Sequence, residues 1–385
     1  MNAEERPIRV GVIGAGFVGP IHIESLRRIG GIEVVALADQ NGDLAKKNAS
    51  KMSIPHYYGD WQDLIRNPKI QVIHNCTPNF LHYEINKSAL EAGKPLVAEK
   101  PVGMNSKESE DLLRLANISN VPNEVCFVYR MYPAIQQMKA MVEVDQVGKP
   151  WLITGAYAQD WMFAQTDYNW RIDPALSGPS RTVADIGSHW CEIAQFVANQ
   201  EIVAVCSNFE TCWKTRLVSN EGKTEEIPVR TEDFATILLR FSDGAIGTFY
   251  TSQVSAGRKN FIQLEVNGSK CSISWNHEDA ERLWIGHKDR PNEIIFKNSS
   301  LFHPQAQPYC HYPVGHPEGY SSGFKNLFQE FYSYLRSGNF WGKDKVNFPT
   351  LWEGHRSMLI LDAIIKSAQQ NCWVDVDLQT LPARK

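Results

Sequence analysis

A glycine-rich loop near the start of the chain has the spacing of a dinucleotide-binding turn. Gly14-Ala15-Gly16-Phe17-Val18-Gly19 follows a β-branched run and precedes a helical pattern. In such a loop the first glycine permits a tight turn, the second lets the backbone approach a pyrophosphate, and the third lets helix and strand pack closely. The helix N-terminus would offer N–H groups to the phosphates. The predicted contacts are Gly14, Gly16, Phe17, Val18 and Gly19.

An acidic residue follows at the distance that this fingerprint requires. Asp39 lies 20 residues after Gly19, where its carboxylate would accept hydrogen bonds from the adenosine ribose. A carboxylate there repels a 2′-phosphate, and Gln40 follows rather than arginine. The sequence therefore favours NAD over NADP, with Asp39 and Gln40 at the cofactor. An ordinary βαβ turn without a ligand is the alternative.

A lysine comes directly after a buried strand, in the motif Glu99-Lys100-Pro101. Ligands of a doubly wound sheet gather at the carboxyl ends of its strands. A cation there would stabilise alkoxide character as hydride leaves a carbinol carbon. Lys100 is thus a candidate catalytic residue, the alternative being a solvated lysine. For Glu99 the sequence favours neither of two roles, a contact with the cofactor ribose or a structural carboxylate. The peptide bond before Pro101 can be cis.

Asp185 and His189 are four positions apart, so a helix starting near Gly187 would let both face one cleft. Alcohol oxidation needs a base for the hydroxyl proton, and histidine titrates near neutral pH. Asp185 would orient the imidazole or bind a substrate hydroxyl. The alternative is an aspartate N-cap followed by a core histidine, and the other motifs make that less favoured.

Aromatic residues and an arginine cluster in the segment between two predicted strands. Trp161, Tyr168, Trp170 and Arg171 could form a substrate wall, since flat rings pack on sugar C–H surfaces and guanidinium groups bind hydroxyls. Core or interface packing is the alternative for each ring. Arg171, together with Arg130, could also bind a substrate phosphate.

Histidines and a cysteine in the Pro-rich segment that ends near residue 319 do not have the spacing of a zinc motif. No metal is expected there, and a loop over the active site or an oligomer interface is favoured instead. His316 and Glu318 are its most interesting members. The histidines and the cysteine of this segment are His303, Cys310, His311 and His316.

Predicted strands and helices alternate through residues 1–130, which implies a parallel sheet with helices on both faces. This first domain is expected to be a doubly wound α/β Rossmann domain. The pair Ser106 and Ser109 predicts the cap of its last helix. The predicted strands cover 8–13, 33–38, 71–76, 95–98 and 124–128, and the helices 20–29, 45–52, 60–66, 80–92 and 106–118.

Residues 131–385 predict an α+β domain with a large, open, mostly antiparallel sheet. Asn267-Gly268 is consistent with a two-residue hairpin loop. Helices are expected over 131–144, 321–337 and 350–367, and the last could pack on the first domain. An open one-sided sheet suggests a homodimer or homotetramer built through it. The predicted strands are 151–159, 202–213, 233–241, 245–253, 260–267, 270–275 and 282–286.

Composition argues against several classes of protein. The 385 residues carry 39 basic and 43 acidic side chains, a net charge of −4, which opposes general binding to nucleic acid or to anionic membranes. No apolar signal segment or membrane-spanning run is visible. The eight cysteines lack CxxC pairs and are expected to be reduced thiols. A cytoplasmic protein is therefore expected.

The motifs occur together in the order of a known family. The glycine loop, Thr77-Pro78-Asn79 with His82, Glu99-Lys100-Pro101, Tyr129-Arg130 and the Asp185–His189 motif resemble the glucose–fructose oxidoreductase / inositol dehydrogenase / MocA (Gfo/Idh/MocA) family. Segments 159–161, 167–171 and 315–320 resemble its subgroup containing levoglucosan dehydrogenase and related sugar dehydrogenases.

This resemblance implies an NAD-dependent dehydrogenase acting on a sugar, anhydrosugar or cyclitol, with Lys100, Asp185 and His189 as catalytic residues. Two alternatives are a glycosidase that uses NAD in a transient oxidation and elimination, and a non-catalytic nucleotide-binding regulator. Retention of all three catalytic candidates argues against the regulator. Family resemblance adds Thr77, Pro78, Asn79, His82 and Glu99 to the cofactor site. The expected substrate contacts are Lys100, Tyr129, Arg130, Trp161, Trp170, Arg171, Asp185 and His189.

Overall fold

The computed structural model describes residues 6–220, 223–337 and 346–382, which form two compact units. The first contains the described residues of Met1–Val128, Tyr320–Met358 and Thr380–Lys385. The second contains those of Tyr129–Gly319 and Leu359–Gln379. No helix within the described ranges is long and apolar enough to cross a membrane.

Six parallel strands form the sheet of the first unit. Its central strands are short β-branched runs that are buried on both faces, as a sheet covered by helices requires. The strand order is β3-β2-β1-β4-β5-β6, so the chain reverses its direction of winding between β1 and β4. The predicted doubly wound sheet is confirmed. The strands are β1 Ile8–Ile13, β2 Ile32–Ala38, β3 His56–Tyr58, β4 Val72–Asn75, β5 Leu96–Ala98 and β6 Asn123–Val125.

Five helices connect these strands. Asn105 caps the last of them, because its Oδ1 accepts from the Glu108 N–H at 3.0 Å while Glu108 accepts from the Met104 N–H at 2.7 Å. The predicted Ser106/Ser109 box is therefore wrong: the extended residue lies one position earlier, and Ser109 donates to the Ser106 carbonyl. The helices are α1 Val18–Arg27, α2 Gly42–Lys51, α3 Trp61–Arg66, α4 Asn79–Glu91 and α5 Ser106–Ser119.

The rest of the chain supplies five more helices and eleven more strands to the described structure. The helices are α6 Pro133–Glu143, α7 Pro174–Ser177, α8 Ser188–Ala198, α9 Tyr320–Ser337 and α10 Leu351–Gln370. The strands are β7 Pro150–Ala158, β8 Ile202–Glu210, β9 Thr215–Asn220, β10 Lys223–Pro228, β11 Phe234–Phe241, β12 Ile246–Ser252, β13 Phe261–Gly268, β14 Ser272–Asn276, β15 Arg282–Gly286, β16 Glu293–Phe296 and β17 Val374–Asp375.

A nine-stranded mixed sheet dominates the second unit, in the order β16-β15-β14-β13-β7-β12-β11-β8-β17. Only the β7–β12 pair is parallel among the described pairs, so the predicted open, mostly antiparallel sheet is confirmed. Burial alternates along β11, as expected for a sheet with one covered face. On that face Trp190 of α8 stacks on Phe249 of β12, with ring centroids 4.3 Å apart.

One local prediction in this unit is wrong, and one hairpin is missing from the predicted elements. Asn267 and Gly268 are the last residues of β13 rather than the hairpin loop, which consists of residues 269–271, and the Gly268 N–H bonds the Cys271 carbonyl. The β9–β10 hairpin was not predicted as a separate unit, since its second strand, KTEEIP, is polar and exposed and lacks a buried face.

Helix α9 packs in the first unit, whereas the sequence analysis placed residues 321–337 in the second domain. Its aromatic stripe explains the difference, because Phe324 and Phe328 lie 5.1 and 4.7 Å from the His22 ring of α1. Helix α10 begins in the first unit, where the Leu351 N–H donates to Asn123 Oδ1 at 2.8 Å, and continues into the second.

Candidate active site

The glycine loop joins β1 to α1 with a backbone that side chains would obstruct. Gly14 has φ +94°, and a Cβ built on it would lie 2.6 Å from the Cys76 carbonyl oxygen. A Cβ on Gly19 would lie 2.1 Å from the Gly14 carbonyl oxygen. Around a Cβ on Gly16, by contrast, no described heavy atom comes within 4 Å, so the loop leaves open space on that side. This cradle fits a ligand that approaches the backbone closely.

The N-terminus of α1 suits an anionic ligand. The helix begins at Val18 without a side-chain cap, and its first turn contains no acidic residue. Phe17, the residue before it, is 78% exposed. The first N–H groups of the helix and its positive dipole end are therefore available to phosphate oxygens.

Asp39 lies at the carboxyl end of β2, next to this loop along the sheet. Its Oδ1 accepts from the Gln40 N–H at 2.8 Å, and its Oδ2 accepts from Asn48 Nδ2 at 3.2 Å. These two contacts hold the half-buried carboxylate in one orientation at the edge where ribose hydroxyls would bind. Gln40 is exposed beside it.

The loop after β4 is held by two buried side chains. Asn75 Oδ1 accepts from Thr77 Oγ1 at 2.7 Å, and Pro78 precedes α4, whose first residue Asn79 is largely buried. The ring nitrogens of His82 lie 2.7 Å from the Thr77 carbonyl and 2.5 Å from the Pro101 carbonyl. His82 therefore ties this loop to the Glu99-Lys100-Pro101 segment, and burial lowers its pKa although both carbonyls favour the charged form.

Lys100 follows β5 and its side chain is half-buried. The bond between Lys100 and Pro101 is cis. Glu99 is 7% exposed and both its carboxylate oxygens are engaged: Oε1 lies 3.2 Å from His22 Nε2, and Oε2 accepts from the Lys100 N–H at 3.2 Å. These contacts favour the structural role for Glu99 and make it an anchor for the Lys100 backbone.

In the second unit, a single π-helical turn, Val183–Gly187, leads directly into α8 and carries Asp185. Glu232 fixes its start by accepting from Ser180 Oγ at 2.6 Å, the Val183 N–H at 2.8 Å and the Arg181 N–H at 3.1 Å. Burial raises the pKa of Glu232 despite these donors. The prediction that a helix begins near Gly187 is confirmed.

The carboxylate of Asp185 is held from both sides. Gln253 Nε2 donates to its Oδ2 at 2.9 Å, and the Nε of Arg171 lies 3.5 Å from its Oδ1. The guanidinium of Arg171 also lies over the Trp170 ring, 4.5 Å from its centroid. The structure thus brings three predicted site residues together, Trp170, Arg171 and Asp185.

His189 lies in the first turn of α8 against two tyrosines. Its ring centroid is 4.9 Å from that of Tyr129, edge to face, and 6.4 Å from that of Tyr157. Both residues are buried: His189 is 7% exposed and Tyr129 is 3% exposed. Tyr129 therefore supports the ring of His189, and its contact with substrate stays a prediction.

Asn260 closes a ring of hydrogen bonds beneath these tyrosines. Tyr157 Oη donates to Asn260 Oδ1 at 2.7 Å, Asn260 Nδ2 donates to Tyr129 Oη at 3.0 Å, and the two tyrosine oxygens are 2.8 Å apart. With Tyr129 donating to Tyr157, every group in the ring both donates and accepts, an arrangement that strengthens each bond. Burial raises the pKa of Tyr129.

Trp161 is connected to the same ring through Gln159. Its Nε1 donates to Gln159 Oε1 at 2.8 Å, and Gln159 Nε2 donates to Asn260 Oδ1 at 2.9 Å. The indole packs against a small apolar cluster that includes Met162 and Ile172, and it remains partly exposed. These contacts fix the position of Trp161, and its role as a substrate wall stays a prediction. Tyr168, the other aromatic residue of this segment, is 49% exposed.

Arg130 is buried and its charge is paired. It is 3% exposed, forms an ion pair with Glu192 of α8 and lies 4.3 Å from the Phe196 ring centroid. Its contact with substrate or phosphate stays a prediction, and the ion pair gives the guanidinium a structural role that the sequence did not indicate.

The segment before α9 is attached to the sheet edge by a buried lysine. Lys297 Nζ donates to Glu318 Oε1 at 2.8 Å and to the His316 carbonyl at 2.8 Å, and lies 3.1 Å from Glu281 Oε2. Glu318 is 2% exposed and also accepts from the His311 N–H at 2.7 Å. In this segment Glu318 thus acts as a structural carboxylate.

Sequence reasoning did not identify Gln253, Asn260 or Glu232. Gln253 directly follows a strand, Asn260 and Glu232 precede one, and all three have partners far away along the chain. Polar residues beside strands are too common in the sequence to single out these three.

Residues 8–127 match the oxidoreductase family with an NAD-binding Rossmann fold, and residues 135–274 match the Gfo/Idh/MocA C-terminal domain. Together the matches cover more than half of the chain. The chain belongs to the Gfo/Idh/MocA oxidoreductase family. The predicted family, enzyme class and NAD-binding domain are thereby confirmed.

Similar members of the family include sugar and cyclitol dehydrogenases. The levoglucosan dehydrogenase of Pseudarthrobacter phenanthrenivorans is 28% identical, over 96% of this chain and 98% of its own. The inositol 2-dehydrogenase/D-chiro-inositol 3-dehydrogenase of Lactiplantibacillus plantarum is 28% identical, over 52% of this chain and 55% of its own. A solved structure of levoglucosan dehydrogenase with NADH and L-sorbose superposes with a TM-score of 0.89 at 28% identity, over 96% of this chain and 98% of that one.

Proposed function

We propose that this oxidoreductase is an NAD-dependent dehydrogenase acting on a secondary alcohol of a sugar, anhydrosugar or cyclitol. The observation that carries the proposal is the arrangement around α8, where a carboxylate fixed by Gln253 and Arg171 lies four residues before a histidine supported by Tyr129. Similarity to levoglucosan and inositol dehydrogenases supports this substrate class.

In the proposed reaction, His189 takes the proton of the substrate hydroxyl and returns it in the reverse direction. Lys100 stabilises the negative charge that develops on the carbinol oxygen. Asp185 binds a neighbouring hydroxyl, since both its oxygens are preset by fixed donors. When bound, the nicotinamide supplies the site that accepts hydride, and the chain supplies orientation and charge.

NAD is proposed over NADP. Asp39 points its carboxylate from the end of β2, held by Gln40 and Asn48, and a 2′-phosphate would meet that negative charge. The phosphates would be bound by the N–H groups of Gly16 and the start of α1. A cytoplasmic location is part of the proposal, supported by eight cysteines that are all free thiols.

A homodimer or homotetramer through the open face of the nine-stranded sheet is also proposed. Leu152 of β7 pairs with Ile246 of β12, and Leu238 of β11 lies beside Thr248, so their side chains share one face with Tyr250. Leu152, Leu238, Ile246 and Tyr250 are 38–59% exposed. A contiguous apolar patch on a soluble sheet is typical of a subunit interface. Light scattering should show an oligomer that Ile246→Arg reduces to monomers.

The test of the proposed activity is spectroscopic. The protein is mixed with NAD and a panel containing levoglucosan, myo-inositol and common hexoses, and absorbance of reduced nicotinamide is followed. Reduction with at least one compound, greater with NAD than with NADP, is expected. Release of aglycone from a chromogenic glycoside without net reduction would instead establish the glycosidase alternative.

A further inference from the structure

A chain of four buried polar side chains runs through the first unit and takes no part in the reaction proposed above. Tyr332 Oη lies 2.8 Å from His74 Nε2, His74 Nδ1 lies 3.0 Å from His22 Nδ1, and His22 Nε2 lies 3.2 Å from Glu99 Oε1. The two imidazoles and the phenol are fully buried. Since buried polar groups are costly unless they are hydrogen-bonded, this chain requires an explanation.

The proton positions in the chain are limited by the chemistry of its ends. A carboxylate only accepts, so His22 must carry its proton on Nε2. In a neutral His22 ring Nδ1 is then an acceptor, which requires His74 to donate from Nδ1. His74 Nε2 in turn accepts from the Tyr332 hydroxyl. All three hydrogen bonds therefore donate toward Glu99, with both imidazoles neutral.

The surroundings favour this neutral arrangement over an imidazolium. The rings of Phe324 and Phe328 pack on His22, and Phe328 lies 4.9 Å from His74. Burial lowers the pKa of His74 well below its ordinary value. Burial alone would raise the pKa of Glu99, but the hydrogen bond from His22 and the charge of Lys100 outweigh it and keep the carboxylate ionised.

The chain ends where the lysine motif begins. Glu99 Oε2, the oxygen that His22 does not use, accepts from the Lys100 N–H at 3.2 Å. The four residues lie on α1, β4, α9 and the segment after β5. The chain thus connects the helix that follows the glycine loop with the backbone of the predicted catalytic lysine.

A metal site is the competing interpretation, because ligand atoms of His22, Glu99 and Cys126 lie within 4.8 Å of one another. Zinc would need the Cys126 thiolate. Burial, and then Glu99, raise the pKa of this thiol well above its ordinary value, so forming the thiolate is costly here. The hydrogen bonds already account for the close approach of these atoms.

We propose that His22 and His74 are positioning residues: with Tyr332 they form a one-way chain of hydrogen bonds that fixes the Glu99 carboxylate and, through it, the backbone of Lys100. The kinetic part of this inference rests on the proposed function. The structural part concerns the tautomers alone.

The first experiment records ring nitrogen shifts of the protein labelled with ¹⁵N-histidine, without cofactor or substrate. Signals are assigned by their loss in His22→Gln and His74→Gln. The expected tautomers are Nε2–H for His22 and Nδ1–H for His74, and Tyr332→Phe should remove the fixed tautomer of His74. An Nε2–H tautomer for His74, or a doubly protonated His22 at neutral pH, would overturn the proposal, as would stoichiometric metal in the purified protein.

The second experiment compares His22→Gln with His22→Phe, on whichever compound of the panel the wild type oxidises. The Gln amide can still donate to Glu99, whereas Phe keeps ring volume without a donor. We expect His22→Phe to lower kcat about 10- to 100-fold with little change in KM for the sugar, and His22→Gln to regain most of the loss. A simple packing role predicts the reverse order. Wild-type inactivity would count against the proposed function, and the tautomers would still decide this inference.

Discussion

Gln253 donates a hydrogen bond from Nε2 to Oδ2 of Asp185 across 2.9 Å. The backbone N–H of Gln253 is itself bonded to the Asp233 carbonyl at 3.0 Å, so the donor has a fixed origin. A residue just after β12 thereby sets the orientation of the carboxylate that precedes α8. The proposed substrate contact of Asp185 depends on this pair.

Gln253→Leu should lower kcat/KM about 10- to 100-fold, because a hydrogen bond to a charged group contributes about 1.5–3 kcal/mol. Gln253→Glu should be worse, since two carboxylates would then face each other. Steady-state kinetics with the active sugar measure both variants. If both variants keep the kcat/KM of the wild type, Gln253 does not orient the Asp185 carboxylate for catalysis.

Asn260→Ala should reduce stability by about 1–3 kcal/mol, because it leaves the Tyr129 and Tyr157 hydroxyls in a buried, broken ring. Turnover should fall as well, since both tyrosines support His189. Denaturant unfolding and kinetics check these effects. A double-mutant cycle with Tyr129→Phe should give a clear coupling energy, and additive effects would contradict the ring.

Asp39→Ala should raise KM for NAD about tenfold and bring the NADP-dependent rate closer to the NAD-dependent rate, because it removes the ribose acceptor and the charge that repels a 2′-phosphate. Asp43→Ala is the matched control, as Asp43 is an exposed acidic residue in the first turn of α2. Equal effects of the two substitutions on cofactor preference would contradict the assignment.

His355 should make the protein less stable as the pH falls. Burial lowers its pKa from 6.5 to about 4, so between these values the unfolded chain binds a proton that the folded chain does not. The free energy of unfolding should therefore drop as pH decreases through this window, by up to about 1.4 kcal/mol per pH unit for this group. The neutral ring is held by Ser109 Oγ at 2.8 Å from Nδ1.

His355→Gln isolates that contribution from the other titrating groups. Its stability, measured by denaturant unfolding from pH 7 to pH 4, should fall with a shallower slope than that of the wild type. Parallel slopes for the two proteins would mean that folding does not lower the pKa of His355.

The geometry of the glycine loop and of Asp39 could be predicted because its determinants are local in sequence. Gly14 to Gly19 and Asp39 lie within one βαβ unit, and a strand, a turn and a helix fix their arrangement. The same holds for Asp185 and His189, which share one helical segment. In such cases residue spacing translates directly into geometry.

Residues whose role depends on distant partners could not be predicted in this way. The ion pair of Arg130 with Glu192 joins residues that are far apart in sequence. The polar anchors Gln253 and Asn260 gain meaning only when sheet register brings them to Asp185 and the tyrosines. Helix α9 likewise joins the first unit through tertiary packing of Phe324 and Phe328, which no local pattern encodes.

The most direct measurement follows absorbance of reduced nicotinamide for the wild type, His189→Ala and Lys100→Met with NAD and the panel of sugars and cyclitols. The account predicts reduction by the wild type with at least one compound, and a loss of about 100-fold or more in kcat/KM for each variant, because proton transfer and charge stabilisation each contribute on that scale. Full turnover by both variants, or no reduction by the wild type with any compound, would contradict it.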